Sequence, residues 1–128
     1  MTGAPSAIRE FHVDAKSTDV FGRVLCHARD HHFIVDGPVQ NGCPGEELTP
    51  PELLFSSVAA CAVELVQVIA REQSKPVGAV DVKVHGLLDR ENQSRANVTV
   101  YNRMHMTFTI KGTDGATAAQ LVESFKRR

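Results

Sequence analysis

One segment constrains the fold more than any other: a helix that starts at prolines and is apolar on nearly every side. It is predicted to begin at Thr49-Pro50-Pro51-Glu52, where Thr at the N-cap, Pro at the first helical position and Glu at the third form a capping box. A stripe with alternating spacings of four and three then runs towards Gln73, formed by Leu54, Val58, Cys61, Leu65 and Val68. The opposite side is also small and apolar, so a sheet is expected to cover one side and a second subunit the other.

The segments around this helix alternate between β-rich runs and turns. Strands are predicted over residues 7–16, 20–26, 32–35, 80–85 and 98–110. A loop rich in glycine and proline occupies residues 36–49, a phase shift near Asn102 indicates a bulge, and residues 118–128 predict a second helix. The order β-β-β-α-β-β-α indicates a single α+β domain over residues 1–128, with antiparallel sheets packed on a long central helix.

Composition and charge argue against several classes of protein. With 14 Lys plus Arg against 15 Asp plus Glu, the chain lacks the basic excess typical of nucleic-acid binding. No secretory leader is evident in residues 1–10, and the longest apolar stretch carries polar side chains that a lipid-facing helix would not tolerate, namely Ser56, Ser57, Glu64 and Gln67. Three cysteines cannot all pair, so we expect reduced thiols in a cytoplasmic protein without nucleic-acid or membrane partners.

Cys61 is the candidate reactive residue, since the helical run Ala59-Ala60-Cys61-Ala62 leaves room around its sulfur. The alternative is a small buried residue of the apolar stripe, as most free cysteines are. Histidines in the runs Cys26-His27 and His31-His32 do not predict a metal site, because adjacent strand residues point to opposite faces. No Cys-x-x-Cys or His-Glu-x-x-His motif accompanies them, so neither a metal nor another cofactor is expected.

Four motifs occur together over residues 34–70 at consistent spacings. They are Asp36-Gly37-Pro38, the loop glycines Gly42 and Gly45, Thr49-Pro50-Pro51-Glu52-Leu53-Leu54, and Val58-Ala59-Ala60-Cys61. In these motifs the chain resembles the OsmC/Ohr family, comprising osmotically inducible protein C and the organic hydroperoxide resistance proteins. The form of its helix start resembles the less-characterised OsmC-like branch.

This resemblance implies an OsmC-like fold in an intertwined homodimer, with a redox-active cysteine, Cys61, at the subunit interface. It implies a thiol-dependent peroxidase of oxidative stress defence, which reduces small organic hydroperoxides and is recycled by a thiol reductant. The alternative is a non-catalytic dimeric module of the same fold that binds a small apolar ligand. A third possibility is a purely structural domain in which all three thiols belong to the core.

The resemblance also implies that an arginine from the N-terminal strands stabilises the thiolate. Arg23 lies closest to that place, and Arg29 is the second candidate. In the peroxidases of the family a glutamate lies ten residues before the cysteine, whereas here Pro51 holds that position and Glu52 follows it. Nine helical residues turn about 900° and rise about 13 Å, which excludes a direct bond between Glu52 and Cys61 within one helix. Glu52 is therefore expected to cap the helix, and its catalytic alternative is a contact to the partner subunit.

The family's resolving cysteine, in a Cys-Pro element after the last long helix, has no counterpart before Arg128. Either the sequence lacks a short C-terminal segment, or this member has no such residue. Cys43 is the remaining candidate to resolve an oxidised Cys61, and its alternative is a turn residue where the family often has glycine. Cys26 lies in a predicted strand and is expected to belong to the core.

Overall fold

The strands before the central helix form a three-stranded antiparallel sheet in a computed structural model that describes residues 7–128. The strands are β1 (Asp14–Ser17), β2 (Arg23–Ala28) and β3 (His31–Asp36), in the order β1-β2-β3. A two-residue turn joins β2 to β3, and in it Arg29 adopts a positive φ of 54°. All three predicted strands are present, although the first is shorter than expected because residues 7–13 form no regular structure.

The central helix α1 spans Pro50–Glu72, close to the predicted bounds. The Glu52 carboxylate accepts hydrogen bonds from the Thr49 backbone N–H at 3.0 Å and from the Thr49 hydroxyl at 2.7 Å. Glu52 therefore caps the helix, as its position predicts.

The face of α1 that the chain buries differs from the predicted stripe. The buried residues are Ala62, Val66, Ile69 and Ala70, a set rotated by about 100° round the helix from the stripe. Within the stripe itself Leu54 and Cys61 are exposed, and Val58 is half-buried. One chain thus covers the face of α1 that carries Val66 and Ile69, and it leaves much of the predicted apolar stripe open.

A β-hairpin and a second helix complete the fold. Strands β4 (Val80–Leu87) and β5 (Arg103–Ile110) pair antiparallel without interruption, and α2 spans Gly115–Lys126. The bulge expected near Asn102 is wrong, because β5 begins one residue later. The phase shift instead marks a loop end, where the Asn102 backbone N–H donates to the Leu87 carbonyl at 2.8 Å.

The chain divides into two compact units, one that ends at Glu52 and one over Leu53–Arg128. In the second unit, a buried cluster joins the two helices and is formed by Val66, Ile69, Ala70 and Leu121. Apolar side chains of the hairpin and of α2 pack around it, among them Val80, Phe108, Ile110 and Phe125. In the first unit, Val35 and Asp36 are the buried residues of the described part.

Leu121→Ala is expected to destabilise the protein by about 3 kcal/mol, because Leu121 is fully buried and its loss leaves a cavity between the helices. Urea unfolding monitored by circular dichroism measures this change. Gln120→Ala is the control, since Gln120 is exposed on the same helix and its replacement should alter stability by less than about 0.5 kcal/mol. Equal losses in the two variants would contradict the packing described.

Candidate functional site

Cys61 lies in the middle of α1 with its side chain exposed in the single chain. Its chain neighbours are alanines, so no bulky side chain adjoins it in sequence. Across residues 7–128, no hydrogen bond or ion pair engages its sulfur. In one chain Cys61 is therefore not buried as a core cysteine would be, and its thiol is accessible to a reagent or to a partner surface.

An apolar groove of about 380 Å³ lies on the same side of α1 as Cys61. Its lining residues come from α1, from the end of the loop before β5 and from the start of β5, and are Leu54, Phe55, Val58, Tyr101, Asn102, Arg103 and Met104. Leu54 and Val58 lie about 20° and 60° round the helix from Cys61. Val58 is only three residues away, so the groove reaches to about one helical turn from the thiol.

The ring of Phe55 is one wall of the groove. This ring contacts Tyr101 edge-on, with ring centroids 4.9 Å apart. Gly86 of β4 lies against the tip of this ring, and a Cβ at that position would collide with it. The absence of a side chain at Gly86 therefore leaves room for the ring. Neither the groove nor this glycine was anticipated from sequence, because the pairing of Phe55 with Tyr101 joins residues far apart in the chain.

Arg23 is bound by a buried carboxylate in the first unit. Its Nε and Nη2 donate to Oδ1 and Oδ2 of Asp36 at 2.8 and 2.9 Å, in a two-point contact along one edge of the guanidinium. Nη2 also donates to Oε1 of Glu46 at 3.2 Å. Asp36 is 0% exposed, whereas the Glu46 side chain is 75% exposed. The sequence predicts no ion pair for Asp36, which is recognisable there only within the motif Asp36-Gly37-Pro38. The pair follows from the position of Asp36 opposite Arg23 in the β2–β3 register.

Asp36 also fixes the loop that precedes α1. Its Oδ2 accepts the backbone N–H groups of Glu46 and Glu47 at 3.0 and 2.9 Å. Hydrogen bonds from Arg23 hold the pKa of Asp36 well below its usual range, against the opposing effect of burial, and the two backbone donors add to this lowering. The same pair raises the pKa of Arg23, so both groups are charged at neutral pH.

The other predicted site residues have separate surroundings. Hydrogen bonds from Thr49 lower the pKa of Glu52, which keeps the cap ionised. Arg29 is exposed at the β2–β3 turn and forms no ion pair within the described residues. Arg23 and Glu52 belong to the first unit, and Cys61 to the second.

The two remaining thiols are half-buried. The Cys43 side chain fits against Gly22 and Gly37, where a Cβ at either glycine would collide with its sulfur. The backbone N–H of Cys43 donates to the Pro38 carbonyl at 3.3 Å, as is expected of a turn residue. Cys26 lies in β2 and is less buried than a core residue is expected to be.

The histidines form a stacked pair rather than a metal centre. The rings of His27 and His32 lie 4.5 Å apart between centroids, and Asp14 lies 3.8 Å from Nδ1 of His27. Over residues 7–128, no group of three or more His, Cys, Asp or Glu side chains could hold a metal ion.

Residues 43–128 match the family of OsmC-like proteins, and the chain therefore belongs to that family. No curated protein matches the sequence significantly. By length and composition alone α1 is long and apolar enough to cross a membrane, whereas in this fold its buried face packs against the hairpin and α2.

Solved structures with the same fold include OsmC/Ohr proteins from several bacteria. An OsmC-like protein from Mycoplasma pneumoniae has a TM-score of 0.79 at 12% identity, over 94% of this chain and 82% of that one. An organic hydroperoxide resistance protein OsmC from Legionella pneumophila has a TM-score of 0.71 at 17% identity, over 95% of this chain and 85% of that one. An organic hydroperoxide resistance protein from Elizabethkingia anophelis has a TM-score of 0.73 at 15% identity, over 96% of this chain and 85% of that one. The α+β fold and the order of its elements are thus confirmed.

Asp36→Asn is expected to lower stability at neutral pH, and the difference from wild type should shrink as the pH falls below about 4. The folded state lowers the pKa of Asp36, so its stabilising effect is complete above the unfolded pKa and is lost as pH falls through the folded pKa. Urea midpoints measured at several pH values for both proteins test this. A difference that stays constant or grows in acid would contradict the buried ion pair.

Proposed function

We propose that the protein is a thiol-dependent peroxidase that reduces organic hydroperoxides at Cys61. The observation that carries this proposal is an exposed mid-helix thiol beside an apolar groove, in a chain of the OsmC-like family. Two of the proteins that share its fold are named organic hydroperoxide resistance proteins, which supports the same role.

In the proposed reaction the Cys61 thiolate attacks the terminal oxygen of the hydroperoxide. An S–O bond forms as the O–O bond breaks, and the sulfur loses two electrons to become a sulfenic acid. The leaving alkoxide takes up one proton and departs as an alcohol. A thiol then condenses with the sulfenic acid to give a disulfide and water, and a second thiol reduces that disulfide and regenerates Cys61.

The groove favours organic over mineral hydroperoxides. Its walls are the apolar side chains of Leu54, Val58 and Met104 with the rings of Phe55 and Tyr101. An alkyl or aryl group that enters it is removed from water, which is worth about 25 cal/mol for each Å² of apolar surface buried. Hydrogen peroxide has no such group and gains nothing there.

Arg23 is the proposed stabiliser of the thiolate. Two of its three nitrogens are engaged by Asp36 and Glu46, whereas Nη1 forms no hydrogen bond within residues 7–128. The two N–H groups of Nη1 are therefore available to an anion. Glu52 is proposed to contact the partner subunit beyond its role as a cap.

A homodimer is proposed because one chain leaves a large apolar surface open. Phe11 and Phe21 are exposed by 84% and 77%, and Leu54 is exposed on the open side of α1. We place this dimer in the cytoplasm, where reducing thiols are available to recycle Cys61.

Cumene hydroperoxide at one equivalent is expected to convert Cys61 to a sulfenic acid, detected by mass spectrometry after trapping with dimedone. Cys43 is half-buried, so the sulfenic acid should persist, be over-oxidised, or be captured by an added small thiol. Cys61→Ser should abolish the modification, and Cys43→Ser, the matched control, should leave it unchanged. A Cys43–Cys61 disulfide in peptide mapping would instead assign the resolving role to Cys43.

If Cys61 remains unmodified while a free small thiol is oxidised under the same conditions, the peroxidase proposal is wrong. The groove would then favour the alternative, a module that binds a small apolar ligand.

Sedimentation at micromolar concentration is expected to give a mass of twice the 14.0 kDa of one chain. The interface should bury more than about 2,000 Å², in the range of obligate homodimers. A monomer at this concentration would contradict the proposed assembly.

A further inference from the structure

The segment that joins β4 to β5 runs over residues 88–102 and forms neither helix nor strand. A loop of more than about 12 residues without regular structure is uncommon in a compact domain and often has a function of its own. The last two residues of this loop, Tyr101 and Asn102, line the groove together with side chains of α1. Part of the groove is therefore built on a helix, whereas another part depends on how a loop is held.

The side-chain amide of Asn102 joins the end of the loop to its beginning. Its Oδ1 accepts the backbone N–H of Asp89 at 2.6 Å, and its Nδ2 donates to the carbonyl of Asn92 at 2.6 Å. The backbone N–H of Asn102 donates to the Leu87 carbonyl at 2.8 Å. These three hydrogen bonds fix both the main chain and the side chain of Asn102.

The side-chain amide of Gln93 holds the residue on the other side of Tyr101. Its Oε1 accepts the Val100 backbone N–H at 2.7 Å, and its Nε2 donates to the carbonyls of Val100 at 3.0 Å and Asp89 at 2.8 Å. Gln93 thus satisfies both backbone groups of Val100, as a neighbouring strand would. Since Val100 and Asn102 are both held, the main chain at Tyr101 has little freedom, although it lies outside any strand or helix.

Tyr101 carries this restraint into the groove. Its ring lies edge-on against the ring of Phe55, with centroids 4.9 Å apart, and the residue is still 38% exposed. A single contact of this kind is weak, so the two amides are needed to keep the ring in one place. At about 380 Å³ the groove is near the lower end of the sizes of small-molecule sites. A small movement of Tyr101 therefore changes which organic groups it contacts.

We propose that Asn102 and Gln93 are positioning residues that hold Tyr101 against Phe55, and that the fixed Tyr101 ring selects hydroperoxides whose organic group is as large as an aryl ring. The proposal rests on the proposed function for the reaction at Cys61. The two amides act through Tyr101, which supplies the surface that an aryl group contacts. An organic group much smaller than an aryl ring gains little from that surface.

Asn102→Ala is expected to raise the KM for cumene hydroperoxide about fivefold and to change kcat by less than about twofold, with dithiothreitol as the reducing thiol. With tert-butyl hydroperoxide, whose organic group is smaller, both constants should stay within about twofold of wild type. Asn97→Ala is the matched control, since Asn97 is exposed in the same loop and its side chain forms no hydrogen bond within residues 7–128. It should behave as wild type with both hydroperoxides.

Equal losses with the two hydroperoxides would overturn the proposal, because general damage to the site would slow both reactions alike. If Asn102→Ala fails to fold, as judged by circular dichroism, Gln93→Ala replaces it and should show the same difference between the two substrates.

The fluorescence of Tyr101 reports directly on its position, because Tyr101 is the single tyrosine of a chain without tryptophan. Its quenching by acrylamide should increase about twofold in Asn102→Ala and in Gln93→Ala, since the ring is released from Phe55. Quenching in Asn97→Ala should equal that of wild type. Unchanged quenching in both amide variants would overturn the positioning role.

Binding without chemistry separates this proposal from the proposed function. Cumyl alcohol is titrated into Cys61→Ser with and without Asn102→Ala, and Tyr101 fluorescence follows its binding. The Kd should be about fivefold higher when Asn102 is replaced, and an equal Kd would overturn the selecting role. If binding weakens as expected but Cys61 is not oxidised in wild type, the amides position Tyr101 as proposed, and it is the peroxidase function that fails.

Discussion

The surplus of apolar surface on α1 is the constraint on which the rest of the structure depends. The side of α1 opposite its buried face carries exposed polar residues, among them Ser57, Glu64 and Arg71, but the apolar stripe with Leu54 and Val58 lies between the two sides and extends beyond what the chain covers. The hairpin and α2 cover the face that carries Val66 and Ile69. The face with Leu54 and Cys61 stays open in one chain. An open apolar face of this kind marks a site for a partner or a ligand. A thiol on this face is positioned to contact that partner or ligand.

Asp36 has a comparable role in the first unit. Its carboxylate joins β2, β3 and the loop before α1, in addition to backbone hydrogen bonds such as those from Asp36 to Leu48 and from Gly37 to Gly22. The cost of burying its charge is offset by the four N–H donors that surround it. The same carboxylate that holds the loop therefore also fixes the orientation of the Arg23 guanidinium.

Much of the fold could be predicted from the sequence because its signals are local. The prolines and glutamate at the start of α1 and the alternation of Val80 and its neighbours define elements within a few residues. The buried face of α1 could not be predicted, because alanines and valines occur on both of its sides and the choice between them depends on tertiary packing. The Arg23–Asp36 pair and the Phe55–Tyr101 contact join distant positions, so no periodicity reports them.

The groove and the thiol together favour the proposed peroxidase over the alternative, a binding module. A module that only bound apolar ligands would gain nothing from an exposed sulfur one helical turn beyond the groove, and an exposed thiol is open to unwanted oxidation. A peroxidase needs this arrangement, because burial of the organic group brings the peroxide oxygens to the sulfur without further contacts. Gly86 leaves room for the Phe55 ring that lines the groove, and the alanines beside Cys61 leave the approach to its sulfur open.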